Sequence, residues 1–133
     1  MVDVAASVHG LSEFSLELYK AVVKSQEDKN VALSPLSIGL ALAMTSAGAK
    51  GPTLDQISKC IRLPSGEPMH DFCGQLKTVV LADASGAGGP QFALANRVWV
   101  DQSMKVKPAF QKVLKDSYGS EAGSVDFSKV KFL

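Results

Sequence analysis

Two histidines and two cysteines are the side chains of this 133-residue chain with the greatest capacity for nucleophilic or metal chemistry. His70 and Cys73 stand three positions apart, and Cys60 precedes them, but a zinc site closed by protein side chains usually has four ligands. His9 lies at an unrelated position near the N-terminus. Catalysis needs several convergent groups of this kind. We therefore predict no catalytic residue, no metal site, no cofactor and no enzymatic activity.

The glycine-rich segment at residues 86–89 could suggest a phosphate-binding loop. It lacks the Lys-Ser/Thr pair of a P-loop and the spacing of a dinucleotide-binding fingerprint. It also follows a predicted helix and precedes a predicted strand, the reverse of the order that directs a helix N-terminus at an anion. We interpret it as a plain linker.

Basic side chains cluster modestly in the second half of the chain, interrupted by acidic ones; they are Arg97, Lys105, Lys107, Lys112 and Lys115. Fourteen Lys and Arg against thirteen Asp and Glu give a net charge of +1, so no global field favours nucleic acid or an anionic membrane. A solvated face is the favoured interpretation, and a polyanion site is the alternative.

Five helices are predicted from apolar spacing, capping residues and stops. The first has apolar residues at helical spacing from Leu11 to Val22 with Ser12 available as its cap, and the second covers residues 36–47 behind Ser34 and Pro35. A capping box at residues 53–56 begins the third. The others are predicted at residues 69–80 and from Pro108 to a stop at Gly119, and the second is apolar on nearly every face.

Alternating and short apolar runs predict the strands. Residues 91–100 form the best candidate, and the alternation of Met104 and Val106 with lysines suggests that a strand continues there. Residues 31–33 are long enough for a short buried strand, and residues 124–127 form the last predicted element.

The N-terminus has no basic start and no sustained apolar run, so it does not resemble a secretory signal. Neither Asn30 nor Asn96 begins a glycosylation sequon, and two cysteines are too few for a disulfide scaffold. We expect a cytoplasmic chain with reduced thiols, no membrane span and no nucleic-acid partner.

Several segments together resemble one protein family. Residues 30–38, reading NVALSPLSI, match the N-x-x-x-S-P-x-S-I segment of the serpins. Further matches occur in the family's order at residues 41–44, 48–53, 56–57, 95–101 and 124–127. The Trp in ANRVWVD, residues 95–101, is similar to the plant branch of that family.

The resemblance implies an α+β fold: helices A to E of a serpin, one or two strands of its sheet A and a short buried strand. It implies one truncated domain over residues 1–133, about the first third of the family's fold. The family's reactive-centre loop, which a protease attacks and which then inserts into sheet A, has no counterpart in these residues.

The function implied is therefore a serpin-family protein that does not inhibit a protease. In the family, the positions of Ser34 and Ser37 belong to a shutter beneath sheet A, where their hydroxyls hydrogen-bond across the sheet opening. Their simpler role, favoured for this chain, is that of a helix cap and a small polar residue in the first turn.

Other readings stay open beside this one. The family's partner would be a serine or cysteine protease, which we do not expect these residues to trap. The alternative function is an interaction module that binds a full-length serpin or a polyanion. Family association makes an extracellular location the alternative to the cytoplasm. The apolar second helix and an open strand edge also predict self-association.

Overall fold

A computed structural model describes residues 2–26, 28–89 and 95–129. Five α-helices and two β-strands occur in this part of the chain: α1 Val4–Lys24, α2 Pro35–Ser46, α3 Gly51–Ile61, α4 Glu67–Gln75, β1 Arg97–Asp101, α5 Pro108–Tyr118 and β2 Glu121–Val125. A π-helical turn, Leu76–Val80, continues α4, and a short 3-10 turn covers Ser85–Ala87. The fold is α+β, as predicted.

Contacts divide the chain into two compact units, residues 1–73 and 74–133. In the first unit, α1, α2 and α3 pack against one another. Their shared core is apolar and includes Leu11, Phe14, Leu40, Met44 and Ile61, each less than 9% exposed. Burial of such side chains contributes about 1.5–3 kcal/mol each, which favours this three-helix arrangement.

The second unit is built on a β-α-β connection. Strands β1 and β2 are parallel neighbours in register from Arg97 opposite Glu121 to Asp101 opposite Val125. Helix α5 connects them, as parallel strands require a crossover, and Leu114 on α5 is fully buried. Gly119 ends α5 in the left-handed conformation, with φ of 59°, which confirms the predicted stop.

The first helix begins earlier than predicted. Asp3, not Ser12, caps α1 by accepting the Ala6 N–H at 3.0 Å, whereas the Ser12 hydroxyl donates back to the Val8 carbonyl inside the helix. The two N-terminal turns escaped prediction because Val4 and Val8 are largely exposed and add no pattern of core residues. His9 consequently lies within a regular helix.

Two further helix predictions were wrong in detail. Helix α3 starts at Gly51 behind Lys50, without a side-chain cap, so the predicted capping box of residues 53–56 lies inside the first turns. The predicted buried face of the helix at residues 69–80 fails in its last turn, where Val79 is 76% exposed and Val80 58% exposed. The π-helical turn shifts side chains away from the i, i+3, i+4 face.

Three strand predictions also need correction. Residues 31–33 have no regular structure, because a strand needs a partner and the described residues supply none at that position. No strand continues through Met104 and Val106, since Asp101 and Ser103 close a turn. The last strand runs over residues 121–125 instead of 124–127, in register with β1. Of the predicted strand at residues 91–100, residues 91–94 lie outside the described part.

Candidate functional site

Ser34 and Ser37, the two predicted site residues, lie together at the start of α2. The Ser34 Oγ accepts the Ser37 N–H at 3.4 Å, and the two hydroxyl oxygens are 2.9 Å apart. Pro35 at the first helical position needs no N–H partner, and its fixed φ favours the helix start. The structure thus confirms Ser34 as the cap of α2.

This hydroxyl pair has little chemical capacity by itself. A serine nucleophile needs a neighbouring base that is itself oriented by a third group. The hydrogen bonds that the described residues give to Ser34 and Ser37 join the two serines to each other and to the backbone of their own turn. The pair can fix the helix start or exchange hydrogen bonds with another chain segment. Its shutter role stays a prediction.

A second polar arrangement, around Arg62, was missed by the sequence analysis. Arg62 follows α3 in the left-handed conformation, with φ of 56°. Its guanidinium nitrogens lie 2.9 Å from a Glu13 carboxylate oxygen and 2.6 Å from one of Glu17, both on α1. Gly10 on α1 leaves room for the Arg62 backbone, since a Cβ there would overlap its carbonyl oxygen. Gly10 precedes the apolar pattern that predicts the first helix, so the sequence offered no signal for this contact.

A cavity of about 340 Å³ opens beside this arginine. Its charged lining residues are Asp3 and Arg62. Asp3 already accepts the Ala6 N–H, and Arg62 is paired with two glutamates. No buried side-chain N or O atom in the described part of the chain lacks a hydrogen-bond partner. The cavity therefore presents no buried polar group for a ligand to satisfy.

Two cations of the predicted basic surface have local partners. The Arg97 guanidinium stacks over the Trp99 ring, 4.7 Å from its centroid. Lys112 pairs with Asp116 on the same helix, and that hydrogen bond raises the pKa of Lys112. Two of the five cations are thus engaged locally, which favours the solvated interpretation.

Trp99 is held in a defined position although it is 54% exposed. Its ring lies over Gly123 on the neighbouring strand, where a Cβ would come within 2.6 Å of the ring. The cation–π contact with Arg97 covers another part of the ring. A large aromatic group therefore projects from β1, in contact with Gly123 and Arg97.

Two aspartates mark the ends of the parallel strands. Asp101 accepts the Ser103 hydroxyl at 2.6 Å and backbone N–H at 2.9 Å, and Asp126 accepts the Ser128 hydroxyl at 2.5 Å. These hydrogen bonds from serine lower the pKa of both carboxyl groups, and Lys129 contributes at Asp126. Within the described residues, no group of three His, Cys, Asp or Glu could hold a metal ion. The aspartates act as turn-closing acceptors.

The two histidines and the two cysteines differ in how far they are buried. His70 is 9% exposed, and burial lowers its pKa below the ordinary value, partly opposed by Asp71. Cys73 is 2% exposed, whereas Cys60 is exposed on α3, and the two sulfurs are thiols. His9 is at the surface, 3.8 Å from Glu13.

In the described ranges, no helix is long and apolar enough to cross a membrane.

Comparison with known proteins identifies the family to which this sequence is similar. The family model described as "Serpin (serine protease inhibitor)" matches residues 9–131. The rice protein Serpin-ZXA is 42% identical over 131 residues, which cover 94% of this chain and 33% of the relative. Serpin-ZX of Arabidopsis thaliana is 35% identical over 127 residues, 95% of this chain and 32% of that protein.

Solved structures agree with the sequence matches. The native stressed conformation of Arabidopsis AtSerpin1 superposes with a TM-score of 0.88 at 35% identity, covering 97% of this chain and 33% of that chain. Native protease nexin-1 with heparin gives a TM-score of 0.82 at 21% identity, which supports the fold alone. The chain belongs to the serpin family. It spans about a third of the length of these relatives, with plant proteins among them.

Proposed function

We propose that these 133 residues form a serpin-family unit that does not trap a protease on its own. The observation that carries the proposal is the extent of the match, about 33% of the relatives' length. The trapping mechanism implied by the family needs a reactive-centre loop and a sheet that opens to accept it. The described residues contribute a sheet of two strands to such a device.

Joined to the other two thirds of the fold, the same residues would supply helices α1 to α5 and two neighbouring strands of an inhibitor. Its target would then be a serine or cysteine protease, as the family implies. Ser34 and Ser37 would face a sheet whose opening they could control. On its own, the Ser34 hydroxyl has the narrower role of capping α2, supported by its bond to the Ser37 N–H.

A cytoplasmic location is part of the proposal. Cys60 is an exposed thiol, a group that persists in a reducing compartment. An extracellular location remains the alternative that follows from family association.

The test is incubation of the chain with trypsin-like and chymotrypsin-like proteases, followed by a denaturing gel. We expect the chain to be digested as a substrate, with no band at the summed mass of chain and protease. A full-length inhibitory serpin in parallel lanes is the positive control. A denaturant-resistant band at the summed mass with the chain alone would overturn the proposal.

An interaction module is the second candidate. It is favoured by large apolar side chains at the surface of the second unit, notably Trp99 at 54% and Met104 at 66% exposure. Recovery of a full-length serpin in a fixed stoichiometric ratio with the tagged chain would support this function, and a ratio that varies with washing would argue against it.

A further inference from the structure

The loop between α3 and α4 carries an arginine and a serine three positions apart. It reads Arg-Leu-Pro-Ser-Gly over residues 62–66. No other serine in the sequence has Lys or Arg at the third position before it. Serine kinases choose their substrates partly by charge pattern, and kinases with an acidic substrate groove select an arginine at this position. Arg62 and Ser65 together match the pattern that such a basophilic kinase recognises.

Ser65 is accessible to an enzyme of this kind. Its side chain is exposed in a bend, and residues 63–66 lie outside helix and strand. Within the part of the chain that the structure describes, the Ser65 hydroxyl has no hydrogen-bond partner to give up. Pro64 and Pro68 border a cavity of about 340 Å³, so the loop is not tightly packed against the start of α1. Surface loops of this type are where modification sites concentrate.

Arg62 can be recruited without disrupting the core. Its side chain is 39% exposed, and those of its partners Glu13 and Glu17 are 46% and 63% exposed. Exposed ion pairs contribute little to stability, because water screens both charges. An acidic kinase groove offers the guanidinium the same kind of carboxylate partner. Leu63, 5% exposed, anchors the loop between Arg62 and Ser65 while both of these stay at the surface.

A threonine at the same spacing from a lysine serves as an internal comparison. Lys50 precedes Thr53 by three positions. Thr53, however, lies inside α3, Gly51–Ile61. The start of this helix would have to unfold locally before Thr53 could enter an active-site groove. The pattern of charge and the local structure therefore agree at Ser65 and conflict at Thr53.

We propose that Ser65 is a phosphorylation site for a basophilic serine kinase, with Arg62 as the residue that the kinase recognises. The Ser65 Oγ attacks the γ-phosphorus of ATP. An O–P bond forms, the bond to the β-phosphate oxygen breaks, ADP leaves, and the hydroxyl proton passes to the catalytic aspartate of the kinase. This modification goes beyond the proposed function and depends neither on protease trapping nor on the location of the chain.

The product is compatible with the fold. A phosphate on Ser65 would stand close to the start of α4, whose first residue is Glu67. A phosphoserine carries about 1.5–2 negative charges at neutral pH, and negative charge near a helix N-terminus is favourable. Its oxygens also offer Arg62 a bidentate partner in competition with the two glutamates of α1. The modification would thus add charge at the surface without burying it.

The experiment incubates the full 133-residue chain with ATP, Mg²⁺ and a purified calcium/calmodulin-dependent serine kinase, which accepts substrates with arginine at this spacing. Initial rates are measured by phosphate incorporation, and the modified residue is located by mass spectrometry of proteolytic peptides. We expect a single phosphate per chain, on Ser65, and none in Ser65→Ala. Thr53 should stay unmodified. A model peptide substrate in parallel shows that the kinase is active.

Arg62→Gln should lower the initial rate at Ser65 by at least about tenfold, because the kinase loses the charge that it recognises. This variant also loses the ion pairs with α1. The matched control is Glu13→Gln combined with Glu17→Gln, which breaks the same ion pairs and keeps Arg62. Its rate should be unchanged or raised by up to about threefold, since the guanidinium is released. Lys59→Gln, exposed on α3, should leave the rate within about twofold.

A folded chain that takes up no phosphate on Ser65 from the active kinase would overturn the proposal. So would equal losses of rate in Arg62→Gln and in the double glutamate variant, or an undiminished total rate in Ser65→Ala. If Arg62→Gln does not fold, Arg62→Lys decides, because it keeps a cation for the two glutamates. The rate at Ser65 should then fall by about threefold or more, as the ammonium does not replace the planar guanidinium, and an unchanged rate would contradict recognition of Arg62.

Discussion

At the scale of single residues, Gly10 sets how closely α1 approaches the turn after α3. A Cβ at this position overlaps the Arg62 carbonyl oxygen, a backbone atom that cannot move independently. Gly10→Ala gains about 1 kcal/mol of helix propensity but incurs about 1–3 kcal/mol of overpacking. Because the clash is with backbone, we expect a net loss of up to about 2 kcal/mol in the free energy of unfolding, measured by urea denaturation.

Gly86→Ala is the control for that measurement, because nothing lies within 4 Å of its added methyl group. It should change stability by less than about 0.5 kcal/mol. Equal effects of the two substitutions would show that the contact between Gly10 and Arg62 does not constrain the first unit.

His70 makes a second prediction, about pH. Burial lowers the pKa of His70 in the folded chain below its ordinary value of 6.5. Below pH 6.5 the unfolded chain therefore binds more protons at this residue than the folded chain does, and stability falls as the pH falls through this range. We expect the free energy of unfolding to drop between pH 7 and 5, and His70→Gln to remove part of the drop.

A slope that is the same in the original chain and in His70→Gln would contradict the assignment to His70.

At the scale of elements, substitutions at the start of α2 test whether Ser34 stabilises this helix as its cap. Ser34→Ala removes the oxygen that accepts the Ser37 N–H, and loss of such a cap costs about 0.5–2 kcal/mol. Ser37→Ala keeps that backbone bond and removes only the contact between hydroxyls. Urea denaturation should show the larger loss for Ser34→Ala. Equal losses would mean that the hydroxyl pair, and not the cap, stabilises the helix start.

Much of the element order could be predicted because local signals agreed with packing. The Ser34-Pro35 start and the Gly119 stop act within one turn, so the sequence was sufficient to place them. The motif at residues 30–38 identified the family for a different reason, its match to a known segment.

The missed features depend on distant parts of the chain. The register of β2 is set by β1, so the alternation of its own residues could not fix its ends. Residues 31–33 carry a strand composition but no partner within the described residues, and they stay irregular. The ion pairs of Arg62 join positions 45 and 49 residues apart, a distance over which spacing patterns carry no information.

At the scale of the whole molecule, the relatives' fold is represented here by about a third of its length. The TM-score of 0.88 to AtSerpin1 shows that these residues share the fold of the corresponding third of that protein. Apolar residues such as Leu16, Val79 and Met104 are exposed in these 133 residues. These residues therefore carry the fold, and we propose that they do not trap a protease by themselves.

The measurement that tests this proposal most directly compares the chain with a chimera in which rice Serpin-ZXA supplies the remaining two thirds of the fold. Both are incubated with a protease that intact Serpin-ZXA traps in a parallel reaction, and denatured samples are weighed by mass spectrometry. We predict a covalent complex for the chimera and only cleavage products for the 133-residue chain. A covalent complex with the chain itself, or a folded chimera that is merely cleaved, would contradict the account.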